Sequence, residues 1–454
     1  MEFSRIVVIN TGGADAYAIA RRFRFLKAYA VAENALDISP ETFSGDVRGI
    51  VIAGNGHELA INSGILLRAL SEKKPLVAFG INSEALLRTL NGQIGQSWNT
   101  GGTMHVNFLS SPLFSDISGG DRYFENAYEF TLPDGFMPAA VTENKHVAAF
   151  SNAEKTIFGA QFSIESNDPD GMLILKNFAF KICGMPEDWT MPYFLKSVLS
   201  WLSTTDTGGK YVCAVSGSAY SIVSAAIALR AFPDRVTCVM LDTGLLRMGE
   251  LQRTLSVFDE ALRSPLNITD ISKSVFAALQ GASCTRDKHE AVRREMLKAL
   301  LKEGDVIIRG TGHAGAFELC PVSMLLRSEI QELGGLLGIP QEALSSQPFP
   351  ESGLACRISG EATTESVRIL RNADDIFRHE VENSNLHKKL VKYYVTLSPA
   401  DDDTFAAILH ALISSESMIG YAFRMPYDVI ERTVKRMLTS ESRIAGVMYD
   451  VTGR

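Results

Sequence analysis

One short stretch limits the fold more than any other: the apolar run Tyr211-Val-Cys-Ala-Val215, the small-residue loop Ser216-Gly217-Ser218-Ala219-Tyr220-Ser221, and the helical pattern of residues 222–229. A strand that turns through such a loop into a helix gathers free backbone N–H groups at the positive end of the helix dipole. That is a cradle for phosphate or another anion. Taken alone, the segment also fits an ordinary strand-to-helix connection. A second apolar run, residues 236–241, ends in Asp242-Thr-Gly-Leu-Leu-Arg247 and gives the spacing of a βαβ unit.

With 454 residues the chain has room for two or three domains, each with its own core. A net charge of −8 gives no basic field, so nucleic acid is not an expected partner. No apolar run reaches the roughly 18 residues that cross a bilayer, and residues 1–10 read as a first strand rather than a leader. The six cysteines have no CxxC spacing. They read as reduced thiols of a cytoplasmic protein, with no zinc site.

Residues 1–185 alternate strands (6–9, 51–53, 76–78) with helices (17–26, 64–71, 83–90), which predicts a parallel sheet covered by helices. Residues 186–208 break the pattern as a linker with one helix at 193–202, and 209–345 carries the strand–loop–helix above. In 346–454, alternation over 389–398 predicts a strand, and residues 400–413 and 426–438 predict helices. The helix 285–296 is amphipathic and charged, His313 is a lone loop histidine, and neither carries chemistry on its own.

Motifs in all three regions, in order, resemble the GMP synthetase family, whose members aminate XMP through an adenylated intermediate with nitrogen from glutamine. The resemblance rests on Val51-Ile-Ala-Gly-Asn-Gly56, Gly80-Ile81-Asn82-Ser83-Glu84, Phe158-Gly-Ala-Gln-Phe162, the loop 216–221, Asp242-Thr-Gly-Leu-Leu-Arg247, and the stretch from Gln347 through Gly353-Leu-Ala-Cys-Arg357 to Glu361. It implies an α/β chain in three parts. These are a class I glutamine amidotransferase-like domain (1–185), an ATP-pyrophosphatase-like, Rossmann-like domain with a PP-loop (209–345), and a C-terminal α+β dimerisation domain (346–454).

The chemical positions depart from the family's. Its elbow reads Gly-Ile-Cys-Tyr-Gly and its later motif Phe-His-Pro-Glu. Matched residue by residue, cysteine becomes Asn82, histidine becomes Ser163, and only Glu165 is kept. Neither a carboxamide nor a hydroxyl without a base attacks an amide. In the loop, the family's Ser-Gly-Gly-Val-Asp-Ser keeps Ser216, Gly217 and Ser221, gains Ser218, and has Tyr220 for the aspartate that helps hold magnesium. A phenol stays neutral at pH 7 and offers a poor magnesium ligand. The family's lid motif is absent after Thr311, and its tail Lys-Pro-Pro-Ala-Thr-Ile-Glu-Trp-Glu does not follow Val451-Thr-Gly-Arg454.

The expectation is a GMP synthetase-like protein that has lost both activities and acts by binding, as a homodimer with adenine nucleotide or a protein partner. Its nucleotide site is Ser216, Gly217, Ser218, Ser221 and Asp242. ATP and magnesium are the cofactors the resemblance implies. The alternative is an ATP-dependent adenylating ligase that takes ammonia and a different acceptor.

Overall fold

The computed structural model describes residues 3–57, 64–164, 169–301, 306–311, 318–345, 347, 349–350, 352–400, 403–414 and 420–452. The chain divides into two compact units, residues 1–190 and residues 191–414 with 420–454.

The first unit holds β1 (Arg5–Asn10), β2 (Ala30–Asn34), β3 (Val47–Ala53), β4 (Leu76–Phe79), β5 (Gln93–Asn99), β6 (Gly102–Phe108), β7 (Gly120–Phe124), β8 (Ala127–Thr131), β9 (Phe136–Thr142), β10 (Val147–Asn152) and β11 (Ile157–Ala160). Nine of them form one sheet in the order β2-β1-β3-β4-β11-β10-β9-β6-β7, and β5 pairs with β8. The central strands are apolar throughout because both faces are covered. Ile6, Val8, Val51, Val77 and Phe79 enter one core cluster, and Val7, Ile9, Ile50, Ile52, Leu76 and Ala78 the other. This is the period-two split of a strand buried on both sides.

The expectation of a parallel sheet holds from β2 to β11. It fails beyond, where β10, β9, β6 and β7 run antiparallel. The connections β9–β10 and β10–β11 are tight turns with Lys145 and Lys155 at positive φ (66° and 56°). Turns that short join only antiparallel neighbours.

In the second unit, β12 (Tyr211–Ala214), β13 (Val236–Asp242), β14 (Leu266–Asp270), β15 (Val306–Ile308) and β16 (Glu318–Leu319) form a parallel sheet in the order β14-β13-β12-β15-β16. Helix Met191–Thr204, within the stretch read as a linker, packs with helices Ala219–Ala231 and Arg327–Leu336 of this unit. A second sheet is built from β17 (Lys392–Pro399), β18 (Phe405–Ser414), β19 (Gly420–Ala422) and β20 (Ile444–Tyr449).

Residues 405–414 are therefore strand, where the alanine-rich run predicts helix. β18 is the centre of its sheet, paired with β17 on one side and with β19 and β20 on the other. Its alternate residues Ala407, Leu409 and Ala411 are fully buried in the core that also holds Ile369, Leu370, Ala373 and Phe377 of helix Thr364–Asn383. Pairing on both edges and burial of one face outweigh the few tenths of a kcal/mol by which alanine favours helix. The same cluster includes Val275, Leu279, Ala291 and Val292, so the C-terminal region shares its core with helices from before residue 300. Among the described residues no helix is long and apolar enough to cross a membrane.

Candidate functional site

The chain turns sharply at the end of β4. Gly80 has φ 59° and ψ −136°, and helix Ile81–Thr89 starts at the next residue. In α/β-hydrolases the nucleophile sits on the strained residue of such a strand-to-helix elbow. Here that residue has no side chain. A Cβ at position 80 would lie 3.8 Å from Ser163 Oγ, and Ser163 is set by its backbone N–H, which donates to the Tyr123 carbonyl at 3.1 Å.

Asn82, matched above to the nucleophile, is two residues past the strain and fully buried. Its amide nitrogen donates to the carbonyls of Gly54 (2.8 Å) and Phe79 (3.0 Å), and its amide oxygen accepts from Thr11 Oγ1 at 2.8 Å. It ties the carboxyl ends of β1, β3 and β4 together, with no group left to meet a substrate. The match therefore shifts: position 80, not 82, faces Ser163. The end of the apolar run 76–79 is the signal that places it, because the elbow follows the strand's last residue directly. Ser83 is equally committed, its hydroxyl donating to the Gly80 carbonyl at 2.7 Å. Glu165 lies outside the described residues.

Glu84, in the first turn of the same helix, is pushed up to about 7 by burial, against a smaller pull from Arg88. A carboxyl that holds its proton more tightly folded than unfolded contributes stability that is complete below about pH 4.5 and lost as pH rises through 7. Urea unfolding at pH 5 and pH 8 should show the wild type losing on the order of 1–2 kcal/mol more than Glu84→Gln, after discounting for partial solvent exposure. Equal losses in the two proteins would contradict the assignment.

In the second unit the loop after β12 forms as the sequence predicts. Gly217 has φ +79°, and a Cβ there would lie 2.6 Å from Thr254 Oγ1, so the position admits only glycine without rearrangement. Ser218 caps helix Ala219–Ala231, its Oγ accepting from the Ser221 N–H at 3.3 Å. The three serine hydroxyls lie within 3.3 Å of one another, and the Ser216 N–H donates to Ser221 Oγ at 3.1 Å. Gly310 presses so closely on this helix start that a Cβ would lie 2.5 Å from the Ser221 nitrogen. The structure thus brings Ser216, Gly217, Ser218 and Ser221 together as a hydroxyl-rich rim at a helix N-terminus, with Ser216 exposed.

Tyr220 donates its hydroxyl to the Leu325 carbonyl at 3.1 Å. Asp242 ends the neighbouring strand and accepts from the Gly244 N–H at 2.9 Å. Arg371, on which the Asp242 charge acts, donates to the carbonyls of Leu246 (2.7 Å) and Gly244 (2.6 Å). Asp242 is therefore already engaged with the Gly244 amide. Among the described residues no three His, Cys, Asp or Glu side chains gather to hold a metal. The loop therefore presents serine hydroxyls at a helix N-terminus, with the Tyr220 phenol where the resemblance would place a carboxylate.

Sequence reasoning missed a buried arginine cluster in the same unit. The Arg247 guanidinium lies 4.1 Å over the Phe349 ring, and Arg357 lies 5.0 Å over Phe349 and 4.6 Å over Tyr394. One carboxylate serves both: Asp374 accepts from Arg357 Nη1 at 3.1 Å and is 3.8 Å from Arg247 Nε. Arg247 Nε and Nη2 are buried with no hydrogen-bond partner among the described residues. Burial lowers Arg247 to about 10, with Arg357 and Arg378 adding to the effect against the pull of Asp374. The charges that act on these two guanidinium groups are the Asp374 and Glu250 carboxylates and the Arg378 cation, and the unfilled donors are those of Arg247.

No family model matches the chain. It is similar over nearly its whole length to curated proteins named GMP synthase (glutamine-hydrolyzing). The identity is 27% with the protein of Heliobacterium modesticaldum, over 508 aligned positions covering 99% of this chain and 97% of that protein. With the protein of Treponema denticola it is 28%, covering 99% and 95%. Among solved structures, a glutamine amidotransferase from Thermotoga maritima matches 45% of this chain and 86% of its own, at 13% identity and a TM-score of 0.31.

Proposed function

We infer, for a chain related from end to end to the glutamine-hydrolysing GMP synthases, that it keeps that family's framework for binding nucleotide and has given up both of its reactions. The observation that carries this reading is the strained turn at Gly80. The backbone still makes the elbow, and the residue on it has no atom with which to attack. Tyr220, tethered to the Leu325 carbonyl, extends the reading to the second reaction, because it puts a neutral phenol where a carboxylate would help hold magnesium.

What the protein does under this reading is bind. The serine rim at 216–221 takes the phosphates of an adenine nucleotide, and the Arg247–Arg357 cluster takes a second anionic group. Residues 346–454 pair two copies into a homodimer, and the protein acts in the cytoplasm on a protein partner or as a nucleotide sensor.

A second reading has a specific observation in its favour. The rim is intact and Ser216 is exposed, so ATP adenylates an acceptor with release of pyrophosphate, and ammonia then displaces AMP from the adenylated acceptor.

Calorimetry with ATP, with and without magnesium, followed by chromatography of the nucleotide, separates the two. Binding with ATP recovered unchanged supports the first. AMP and pyrophosphate that accumulate only with ammonium and an acceptor support the second. Absence of binding overturns the nucleotide part of both.

A further inference from the structure

The six cysteines differ in their surroundings. Cys183, Cys213, Cys238 and Cys320 are buried, Cys284 is exposed and Cys356 half-buried. Cys284 is the residue before helix Thr285–Leu300, its sulfur 3.4 Å from the Asp287 N–H. Cys356 lies in the tight turn Gly353–Arg357, far along the chain, yet its sulfur is 3.8 Å from the carbonyl oxygen of Thr285, the residue that follows Cys284.

A buried cation holds the turn that carries Cys356. Lys288, 1% exposed, donates to the carbonyls of Ala355 (3.3 Å) and Ile358 (2.6 Å), which bracket Cys356 in sequence. Burial lowers its pKa, and the neighbouring groups that act in the opposite direction are the Cys356 and Cys284 sulfurs. Lys288 thus anchors the backbone on both sides of Cys356 from a position one helical turn after Cys284. Cys356 also contacts Ser352 Oγ at 2.6 Å, and Ser352 Oγ is 3.4 Å from His289 Nδ1, which completes a path for the thiol proton.

We propose that Cys284 and Cys356 are a peroxide-sensitive thiol pair whose disulfide fastens the start of helix Thr285–Leu300 to the turn that carries Arg357. The Cys356 thiolate attacks hydrogen peroxide, breaking the O–O bond to give a sulfenic acid and hydroxide, and the hydroxide takes the proton released on ionisation to become water. The Cys284 thiol then attacks the sulfenic sulfur, forming the S–S bond and expelling a second water. Two thiols are oxidised by two electrons and one peroxide is reduced. Because residue 357 follows directly, oxidation fixes the backbone beside the arginine cluster. That last consequence rests on the anion-binding reading above, and the disulfide itself does not.

The test treats the folded full-length protein with hydrogen peroxide, blocks remaining thiols, digests it with trypsin without reduction, and maps the peptides. Tryptic cleavage places Cys284 in peptide 274–286 and Cys356 in peptide 328–357. The expected result is a linked pair of these two peptides, loss of two of the six thiols per chain, and no link in either Cys284→Ser or Cys356→Ser. Both variants retain the wild-type unfolding midpoint under reducing conditions, so a missing link is not a folding defect. Over-oxidation of Cys356 with Cys284 left free, or a 284–356 link that forms no faster in the folded chain than in guanidinium, would overturn the proposal. ATP and inorganic phosphate titrations of the oxidised and reduced forms read the coupling separately. Unchanged affinities with the link present would leave the pair standing and remove its effect on the anion site.

Discussion

Incubated with glutamine, the purified protein releases glutamate no faster than a protein-free control. The expectation follows from what faces the elbow. Gly80 offers no nucleophile, Ser163 opposite it is a hydroxyl, and Asn82 and Ser83 have their polar atoms committed to backbone carbonyls and Thr11. Removing the nucleophile from a machinery of this kind costs about 10⁶-fold in kcat, more than any remaining group here is placed to recover.

The corrected register can be tested by repair. Gly80→Cys with Ser163→His sets a thiol and an imidazole opposite each other, at a cost of about 1–3 kcal/mol for a side chain in the strained conformation. Any gain in glutaminase activity should be confined to that double variant. The same gain from Asn82→Cys with Ser163→His would restore the sequence-based match and refute the structural one.

The second large effect is on stability. Asp374 is 2% exposed and accepts from Arg357 and from the Val395 N–H (3.0 Å) while lying beside Arg247. Asp374→Asn keeps the shape and removes the charge, leaving the two buried guanidinium groups without the carboxylate that Arg357 hydrogen-bonds and with Glu250 as the remaining negative charge acting on them. Breaking a buried pair from one side costs about 3–5 kcal/mol, so the urea midpoint should fall accordingly. Inorganic phosphate should recover part of the loss in the variant, since an anion that binds the folded state stabilises it by mass action. A loss below about 1 kcal/mol would mean that the arginines are solvated when the carboxylate is neutralised.

Much of this was legible in the chain. The apolar runs 6–9, 76–78 and 211–215 mark buried strands, and the first and last of them run into small residues, so the elbow and the serine loop were visible as places. What failed did so for physical reasons. Whether β18 is helix or strand depends on neighbours that pair with it, and Ala-Ala-Ile-Leu-His-Ala-Leu supports either period. The antiparallel half of the first sheet follows from the tight turns at Lys145 and Lys155, two positions at which a positive φ has no sequence signal as strong as glycine's. The elbow register slipped by two because Gly80-Ile81 copies the first two letters of the family's motif while the strand ends at Phe79. The arginine cluster joins residues 247, 349, 357 and 374, which nothing local in the chain brings together.

The most direct measurement is a search for GMP. XMP, ATP and magnesium are incubated with the purified protein, once with glutamine and once with ammonium, and the nucleotides are separated by chromatography. XMP is expected to be recovered unchanged from both reactions. GMP formed in proportion to protein concentration, from either nitrogen source, would contradict it.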